Sequence, residues 1–191
     1  DQGRYRPDRI GLGLIYAIAN QKGGVGKTST TVNLAAAFAA QGRKVLVIDL
    51  DQQANATVAL GLSKELRPSS YEVLAGEVKA VEAVFPAPVS SGSVDVVPAS
   101  RALAGATVEL PNMPEPSFQL SRQMAGVSDA YDTVLIDCPP ALGPVTVNAL
   151  VASDRVIVPV QAEYLALEGL VEFLDTISTV RREMNPSLEL A

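Results

Sequence analysis

Short apolar runs alternate along the chain with longer segments of helical periodicity. Five runs have the length and composition of strands: residues 14–19, 45–48, 94–97, 132–137 and 156–160. Helical spacing of apolar residues predicts helices at 28–40, 71–75, 78–84, 101–110, 144–152 and 167–177. This alternation predicts an α/β fold, a doubly wound and mainly parallel sheet with helices on both faces.

Glycine and proline residues mark where several of these predicted elements end. Gly42 stands where a helix over 28–40 would end, and the strand at 45–48 then closes a β-α-β unit whose two strands should be parallel. Three prolines within residues 111–116 predict a loop, and Asn185 with Pro186 ends the last helix.

The chain has 191 residues and a mass of 20.0 kDa, which predicts one domain over 1–191 with a polar lead-in at 1–13. Its net charge of −6 excludes a polycationic surface all round. We expect a cytoplasmic protein, because no apolar window is long enough for a membrane span and the N-terminus is too charged for a signal peptide.

Two scarcities narrow the chemistry. A single cysteine excludes an internal disulfide and a multi-thiolate metal site, and the absence of histidine excludes imidazole-based triads and His-ligated metals. Catalysis must therefore use carboxylates, lysines, backbone amides or a hard cation held by oxygens. Cys138, followed by two prolines and without a base, is expected to be a small buried residue.

The chain also lacks an initiator methionine and stops as a new segment begins. We expect a fragment in which C-terminal strands and helices are missing. The strand at 156–160 would then be an exposed edge that favours association.

A glycine-rich segment joins the first strand to the first helix. Residues 21–28 (QKGGVGKT) meet the phosphate-loop pattern GxxxxGK[ST], except that Gln21 takes the place of the first glycine. Glycines let successive N–H groups turn inward, the helix N-terminus adds partial positive charge, Lys27 supplies a cation, and the Thr28 hydroxyl can reach magnesium. The segment predicts a nucleotide phosphate site.

Acidic residues end two of the predicted strands. Asp49 and Asp51 follow the second strand, at the end of a sheet where α/β proteins hold their ligands. Asp137 follows the apolar run 134–136, which is the Walker B arrangement of a carboxylate that holds a magnesium shell.

Three segments together resemble the ParA/MinD superfamily of ATPases, and its ParA/Soj branch in particular. Residues 22–28 (KGGVGKT) with 29–35 are similar to the deviant Walker A motif; 49–57 (DLDQQANAT) resemble the switch I segment, usually DxDPQxN; and 131–143 (YDTVLIDCPPALG) resemble switch II. Weaker matches at 97–100, 103–106, 148–150, 159–163 and 167–170 extend the resemblance over residues 15–174. Gln52 stands where the family's switch I segment usually has proline.

The resemblance implies roles for individual residues. It implies ATP as cofactor, contacted by Lys22, Gly23, Gly24, Val25, Gly26, Lys27, Thr28, Ser29 and, through its backbone when the switch closes, Gly143. It implies Mg²⁺ near Thr28, Asp49 and Asp137. It implies catalytic roles for Lys22, Lys27 and Asp51: Lys22 reaches the partner's nucleotide across a dimer interface, and Asp51 orients the attacking water.

The same resemblance implies an ATPase that forms a homodimer on binding ATP, responds to a ParB-like activator, and in its full-length form binds DNA non-specifically in the nucleoid. A membrane partner is not expected. The alternatives are a MinD-like positioning ATPase, which would need a basic amphipathic C-terminal helix, a ligase or metallocluster enzyme on the same scaffold, and a nucleotide-binding scaffold without turnover.

Overall fold

The computed structural model describes residues 13–89, 92–162 and 166–191. The predicted lead-in at 1–13 lies, apart from Gly13, outside the described residues. A seven-stranded sheet forms the centre, in the order β3-β4-β2-β5-β1-β6-β7. Its strands are β1 (Leu14–Ile18), β2 (Lys44–Asp49), β3 (Phe85–Pro86), β4 (Ser93–Val97), β5 (Thr133–Asp137), β6 (Arg155–Ile157) and β7 (Glu189–Leu190).

All neighbouring strands pair in parallel except β3, which runs antiparallel to β4. In the described ranges the sequence between the strands forms eight α-helices: α1 (Lys27–Ala40), α2 (Asn55–Ala59), α3 (Ser70–Leu74), α4 (Leu103–Glu109), α5 (Gln119–Gln123), α6 (Val127–Ala130), α7 (Pro144–Ala152) and α8 (Ala166–Glu183). Short 3₁₀ turns lie at Ala80–Glu82, Leu110–Asn112 and Pro116–Phe118.

Alternate side chains of the central strands build a separate core on each face of the sheet. On one face Val45, Val47 and Leu135 pack with Ala35 and Ala39 of α1. On the other face Leu46, Ile48 and Ile136 pack with Leu150 of α7 and Phe173 of α8. Because these strands are covered on both sides, they read as continuous apolar runs. The predicted doubly wound α/β fold is confirmed.

Several boundaries differ from the sequence prediction. The helix predicted at 78–84 is a single 3₁₀ turn, Ala80–Glu82, and the proline-rich loop at 111–116 contains residues of two 3₁₀ turns. In the second segment proline is the reason, because it lacks the backbone N–H that an α-helical hydrogen bond needs. The edge predicted at 156–160 is wrong, since β6 ends at Ile157 and β7 pairs beside it, with Arg155 opposite Glu189.

In the part of the chain that the structure describes, no helix combines the length and the apolar character needed to cross a membrane.

Candidate active site

Strand order brings the three predicted segments to one edge. β5 lies between β1 and β2, and the register pairs Ile18 and Asp49 with Asp137 at its carboxyl end. The phosphate loop follows β1, switch I follows β2, and switch II follows β5. Because parallel strands end at the same edge, the fold gathers all three there, as the sequence predicts.

The phosphate loop has the backbone that its glycines imply. Gly24 has φ +74° and Gly26 has φ +92°, both in the left-handed region that favours glycine. Gly26 is the N-cap of α1, and neither a capping side chain nor an acidic residue satisfies the helix's first turn. The unpaired N–H groups and the positive end of the helix dipole therefore remain available to an anion.

Other residues of the loop differ in exposure. Gly23 and Ser29 are exposed, and Val25 is buried. A Cβ on Gly23 would lie 3.8 Å from Pro140, so the loop approaches switch II closely. The phosphate contacts assigned to these residues by resemblance stay predictions.

Lys27 is buried at the base of the loop and its ammonium group donates a 2.9 Å hydrogen bond to the Lys22 carbonyl oxygen. Burial lowers the pKa of Lys27, while Asp137 and Asp51 oppose that shift. The Lys22 N–H donates to Asn20 Oδ1 at 3.0 Å, and the Asn20 amide donates to the Pro159 carbonyl at 2.8 Å. The two lysines are thus joined through the backbone of one loop, which Asn20 braces against the segment after β6.

Asp137 is fully buried and faces α1. One carboxylate oxygen accepts a 2.7 Å hydrogen bond from the Thr28 hydroxyl, and the other accepts a 3.0 Å bond from the Thr31 hydroxyl. Burial raises the pKa of Asp137 to about 6, against the opposing effect of the two hydroxyls. Asp137 therefore links the end of β5 to the first turn of the phosphate-loop helix.

Asp49 is equally buried but faces switch I. Its Oδ2 accepts hydrogen bonds from the Thr57 N–H at 2.8 Å and hydroxyl at 2.7 Å, and its Oδ1 accepts from the Asp51 N–H at 3.1 Å. Burial raises the pKa of Asp49 to about 7, and the nearby Asp137 adds to the rise. These contacts lie within switch I, so the magnesium role assigned to Asp49 stays a prediction.

Asp51 sits on the turn between β2 and α2, 8% exposed. Its carboxylate accepts from the Gln53 N–H at 2.9 Å, and its carbonyl accepts from the Ala54 N–H at 2.8 Å. Its charge acts on both Lys27 and Asp137, so it belongs to the same electrostatic cluster. Ala54 follows with φ +56°, a strained conformation for a non-glycine residue.

A cleft of about 200 Å³ separates the two switch segments. Its lining includes Asp51 and Gln52 from switch I, and Pro139, Pro140 and Gly143 from switch II. Gly143 is the N-cap of α7, and a Cβ there would meet open space. Movement of either switch would therefore reshape the space beside Asp51.

Cys138 is buried, as the sequence predicts, and burial raises the pKa of its thiol well above the usual range. A thiol that resists ionisation is a poor nucleophile, which leaves the chemistry to the lysines and carboxylates.

Sequence reasoning missed three side chains of this site: Asn20, Thr31 and Thr57. Each acts as a hydrogen-bonding partner of a predicted residue. Thr31 stands four residues after Lys27 on α1, so helical spacing could have placed it beside the loop. Neither spacing nor periodicity marks Thr57, which reaches Asp49 only because the chain folds back at Ala54.

The donor set fits a magnesium ion with few protein ligands. Among the side chains that the structure describes, no three His, Cys, Asp or Glu gather into a metal cage. The Thr28 hydroxyl and the Asp137 carboxylate are hard oxygen donors that lie together beside the phosphate loop. Magnesium typically takes one or two such protein oxygens and completes its octahedron with waters and substrate phosphates.

Comparison with known proteins agrees with this geometry. The model of an AAA domain family, AAA_31, matches residues 13–190. The sporulation initiation inhibitor protein Soj of Bacillus subtilis is 44% identical over 93% of this chain and 70% of its own length. The chain belongs to the ParA/Soj family of P-loop ATPases.

Other members of the family are similarly related. The chromosome partitioning protein ParA of Caulobacter vibrioides is 44% identical over 92% of this chain and 66% of its own. An uncharacterised protein of Pseudomonas putida is 48% identical over 92% of this chain and 66% of its own length. This chain therefore spans about two thirds of the length of the curated relatives it matches.

Solved structures extend the likeness to the fold. Cobyrinic acid a,c-diamide synthase from Mycobacterium smegmatis, with bound ADP and magnesium, superposes with a TM-score of 0.87 and 42% identity over 93% of this chain and 72% of that one. Apo McdA from Cyanothece superposes with a TM-score of 0.84 and 25% identity over 93% of this chain and 69% of that one. Proteins with different functional names thus share this fold.

Proposed function

We propose that the protein is a magnesium-dependent ATPase that hydrolyses ATP to ADP and phosphate, dimerises on binding ATP, and acts as a switch in chromosome or plasmid partition. The observation that carries the proposal is the arrangement of Lys27, Thr28 and Asp137 at the end of β1 and β5, with Lys22 in the same loop. Two curated family members are named as a chromosome partitioning protein and as Soj, which supports the cellular role.

The phosphate loop would bind the nucleotide through charge and backbone donors. Gly24 and Gly26 give the loop its inward-turning backbone, and the first turn of α1 offers unpaired N–H groups to the phosphates. Lys27 would exchange its bond to the Lys22 carbonyl for a phosphate oxygen. Its burial favours that exchange because an anion restores the neutrality of a partly desolvated ammonium group.

Thr28 and Asp137 would hold magnesium, with Asp49 near its shell. When bound, the ion supplies a positive charge that offsets the charge developing on the transferred phosphoryl group. Asp137 already orders the Thr28 hydroxyl at 2.7 Å, so the two oxygens are positioned before the ion arrives.

Asp51 would orient the attacking water. The water oxygen forms a bond to the γ-phosphorus as the bond to the β-phosphate oxygen breaks, and ADP leaves. The Asp51 carboxylate accepts a hydrogen bond from that water and guides its proton towards the phosphate product. The Gly143 N–H would contact the γ-phosphate once switch II closes, which narrows the cleft shared with Asp51.

Lys22 would act in trans, on the nucleotide of a partner subunit. A second cation near the transferred phosphoryl group has the effect of an arginine finger. Its backbone is held from both sides, by Asn20 and by Lys27. The loop therefore fixes where the Lys22 side chain begins, while the partner decides which phosphate it meets.

A ParB-like activator and non-specific DNA would be the partners of the whole protein. Arg181 and Arg182 are exposed in the last turn of α8, where Arg182 pairs with Glu183 at 2.7 Å. This pair stabilises a helix end and offers little to DNA. We assign no DNA-contacting residue among those described, and the test is salt-dependent DNA binding by the complete gene product with ATP.

The experiment that tests the proposal compares wild type with Lys22→Ala and Lys44→Ala in the complete gene product. Lys44 is an exposed lysine at the amino end of β2, away from the site, and is the matched control. Light scattering measures dimerisation with ATP and magnesium, and phosphate release measures hydrolysis. We expect wild type and Lys44→Ala to dimerise and hydrolyse, and Lys22→Ala to lose hydrolysis. Hydrolysis by a monomer that is indifferent to Lys22 would overturn the proposal.

A ligase is the second candidate, because one solved structure of the same fold carries the name cobyrinic acid a,c-diamide synthase. A ligase spends ATP to activate an acceptor carboxylate, so phosphate release would require that acceptor. Sustained phosphate release with ATP, magnesium and DNA alone would exclude this reading. The MinD-like alternative is tested by sedimentation with anionic vesicles, where ATP-dependent binding would support it.

A further inference from the structure

Thr57 is completely buried in α2, eight residues beyond Asp49, and both of its polar groups point back to that carboxylate. The Thr57 N–H and hydroxyl both donate to Asp49 Oδ2, at 2.8 and 2.7 Å. The remaining oxygen, Oδ1, accepts from the Asp51 N–H at 3.1 Å. All three donors to the Asp49 carboxylate in the described structure thus come from switch I.

The hydroxyl of Thr57 has a second partner that fixes its direction. The Ala99 N–H, just after β4, donates to Thr57 Oγ1 at 2.9 Å. Because an amide N–H can only donate, the single hydroxyl proton is left for Asp49. The chain of donors therefore runs from Ala99 through Thr57 to Asp49, and it ties switch I to the neighbouring strand.

A second tie holds the same place. The Ser70 hydroxyl donates to the Asp49 carbonyl oxygen at 2.6 Å, and the Ser70 N–H donates to the Pro98 carbonyl at 2.8 Å. Ser70 is also fully buried. The two ends of the loop 49–57 are thus pinned to one another and to the end of β4.

Asp51 lies inside this pinned loop. The turn must bring Asp51 towards Lys27 and reverse at Ala54, whose φ of +56° is strained. A strained turn keeps its shape only where surrounding contacts over-determine it. The bonds from Thr57 to Asp49 close the loop across the turn and are suited to that task.

We propose that Thr57 is a positioning residue for hydrolysis: its hydroxyl, held by Ala99, clamps Asp49 so that the loop presents Asp51 to the γ-phosphate. This inference deepens the proposed ATPase function and rests on it. Thr57 is not a catalytic residue, because it touches the loop and not the reacting atoms. Its loss should lower kcat while the phosphate loop keeps its affinity for nucleotide.

The test uses Thr57→Val and Thr57→Ser in the complete gene product. Valine keeps the shape and removes the hydroxyl, and serine keeps the hydroxyl. The control is Thr133→Val: Thr133 is also buried, on β5, but its hydroxyl has no hydrogen-bond partner in the described structure. Steady-state phosphate release gives kcat and KM, equilibrium binding of a non-hydrolysable ATP analogue gives Kd, and thermal unfolding checks the fold.

We expect Thr57→Val to lower kcat by about 10- to 100-fold with Kd changed less than about threefold, since small misplacements of catalytic groups have effects of this size. Thr57→Ser should restore kcat to within about threefold of wild type, and Thr133→Val should match wild type. If Thr57→Val does not fold, the test rests on Thr57→Ser, with Asp51→Ala measured beside it as the reference for lost hydrolysis. A loss of kcat in Thr57→Ser as large as that in Asp51→Ala would overturn the inference.

Two further outcomes separate this inference from the proposed function. If wild type hydrolyses ATP but Thr57→Val keeps its kcat, the clamp is irrelevant and only this inference fails. If wild type and all variants bind the analogue but none releases phosphate, the proposed ATPase fails, and the inference falls with it. A parallel fall in kcat, affinity and thermal stability would show a structural role and would also overturn the inference.

Discussion

Asp49 and Asp137 stand opposite one another at the ends of neighbouring strands, equally buried, yet their carboxylates bind different parts of the molecule. Asp137 accepts hydrogen bonds from Thr28 and Thr31 on the phosphate-loop helix, whereas Asp49 accepts them from Thr57 and Asp51 within switch I. Sequence position alone makes the two acids equivalent. Their partners predict different roles. Asp137 acts where the nucleotide binds, and Asp49 sets the shape of switch I.

Replacing each aspartate with asparagine removes its charge and keeps the shape of the side chain. Asp137→Asn should lower kcat/KM by about 100- to 1000-fold, because the carboxylate beside Thr28 and the proposed magnesium is lost. Asp49→Asn should lower kcat by only about tenfold, since its amide would meet the Asp51 N–H as a second donor and shift the loop. Phosphate release at varied ATP and magnesium measures both.

Nucleotide affinity then separates the two roles. We expect magnesium-dependent binding of an ATP analogue to weaken strongly in Asp137→Asn and to stay within about threefold of wild type in Asp49→Asn. Equal losses in both variants would mean that the two carboxylates act as one magnesium site. The different hydrogen-bond partners would then have no functional consequence.

Much of the site at the carboxyl ends of β1, β2 and β5 could be predicted from the sequence. The β1–α1–β2 unit appears within about a residue of its predicted bounds, because its apolar runs and glycines act locally. The same local pattern predicts Asp49, Asp51 and Asp137 at or just after the ends of strands. The helices α2, α5 and α6 have four or five residues each and are too short to show a helical period.

Other features depend on tertiary contacts and leave no local pattern. The pairing of Thr57 with Asp49 needs a chain reversal at a strained alanine, and the pairing of Thr31 with Asp137 needs the rotation of α1 over β5. The two-residue strand β7 exists only because β6 offers it a partner. The way the chain folds back on itself, and not the local order of residues, produces these contacts.

The two carboxyl groups should also differ in how they make the stability of the nucleotide-free protein depend on pH. Each carboxyl has a pKa raised above 3.8, to about 7 in Asp49 and about 6 in Asp137, so the folded state binds its proton more tightly than the unfolded state. That contribution is complete below pH 3.8 and disappears as the pH rises through the folded pKa. Between pH 5 and 8 the stability lost in this way is on the order of 3 kcal/mol for Asp49 and on the order of 1 kcal/mol for Asp137.

Urea unfolding at pH 5 to 8, in wild type and the two asparagine variants, measures this difference. The free energy of unfolding of wild type should fall as the pH rises. Asp49→Asn should flatten the profile more, and its effect should extend to higher pH than that of Asp137→Asn. A wild-type profile that rises steadily over this range, unchanged by either substitution, would contradict the assignment.

Removing a hydroxyl from the Asp137 side should have a smaller effect. Thr31 is fully buried and its Oγ1 lies 3.0 Å from Asp137 and 3.1 Å from the Lys27 carbonyl. Thr31→Val should lower the free energy of unfolding by about 1.5 kcal/mol, because a buried acceptor loses its donor. Thr133→Val, which removes a buried hydroxyl without a partner, should change stability by less than about 0.5 kcal/mol. Equal effects would show that the volume of the hydroxyl, and not its bond, matters.

The smallest effect concerns the helix that carries both partners of Asp137. α1 has a left-handed glycine at each end: Gly26 with φ +92° at its start, and Gly42 with φ +83° just past its end. A Cβ would meet open space at either position, so each Gly→Ala substitution should lower stability by about 1 kcal/mol through backbone strain alone. Chemical denaturation should find the two variants alike, whereas binding of an ATP analogue should weaken only in Gly26→Ala, because Gly26 shapes the proposed phosphate site. If Gly42→Ala weakened binding equally, a change at the far end of α1 would affect the phosphate site. The contacts of Asp137 with α1 would then depend on the whole helix and not on its first turn alone.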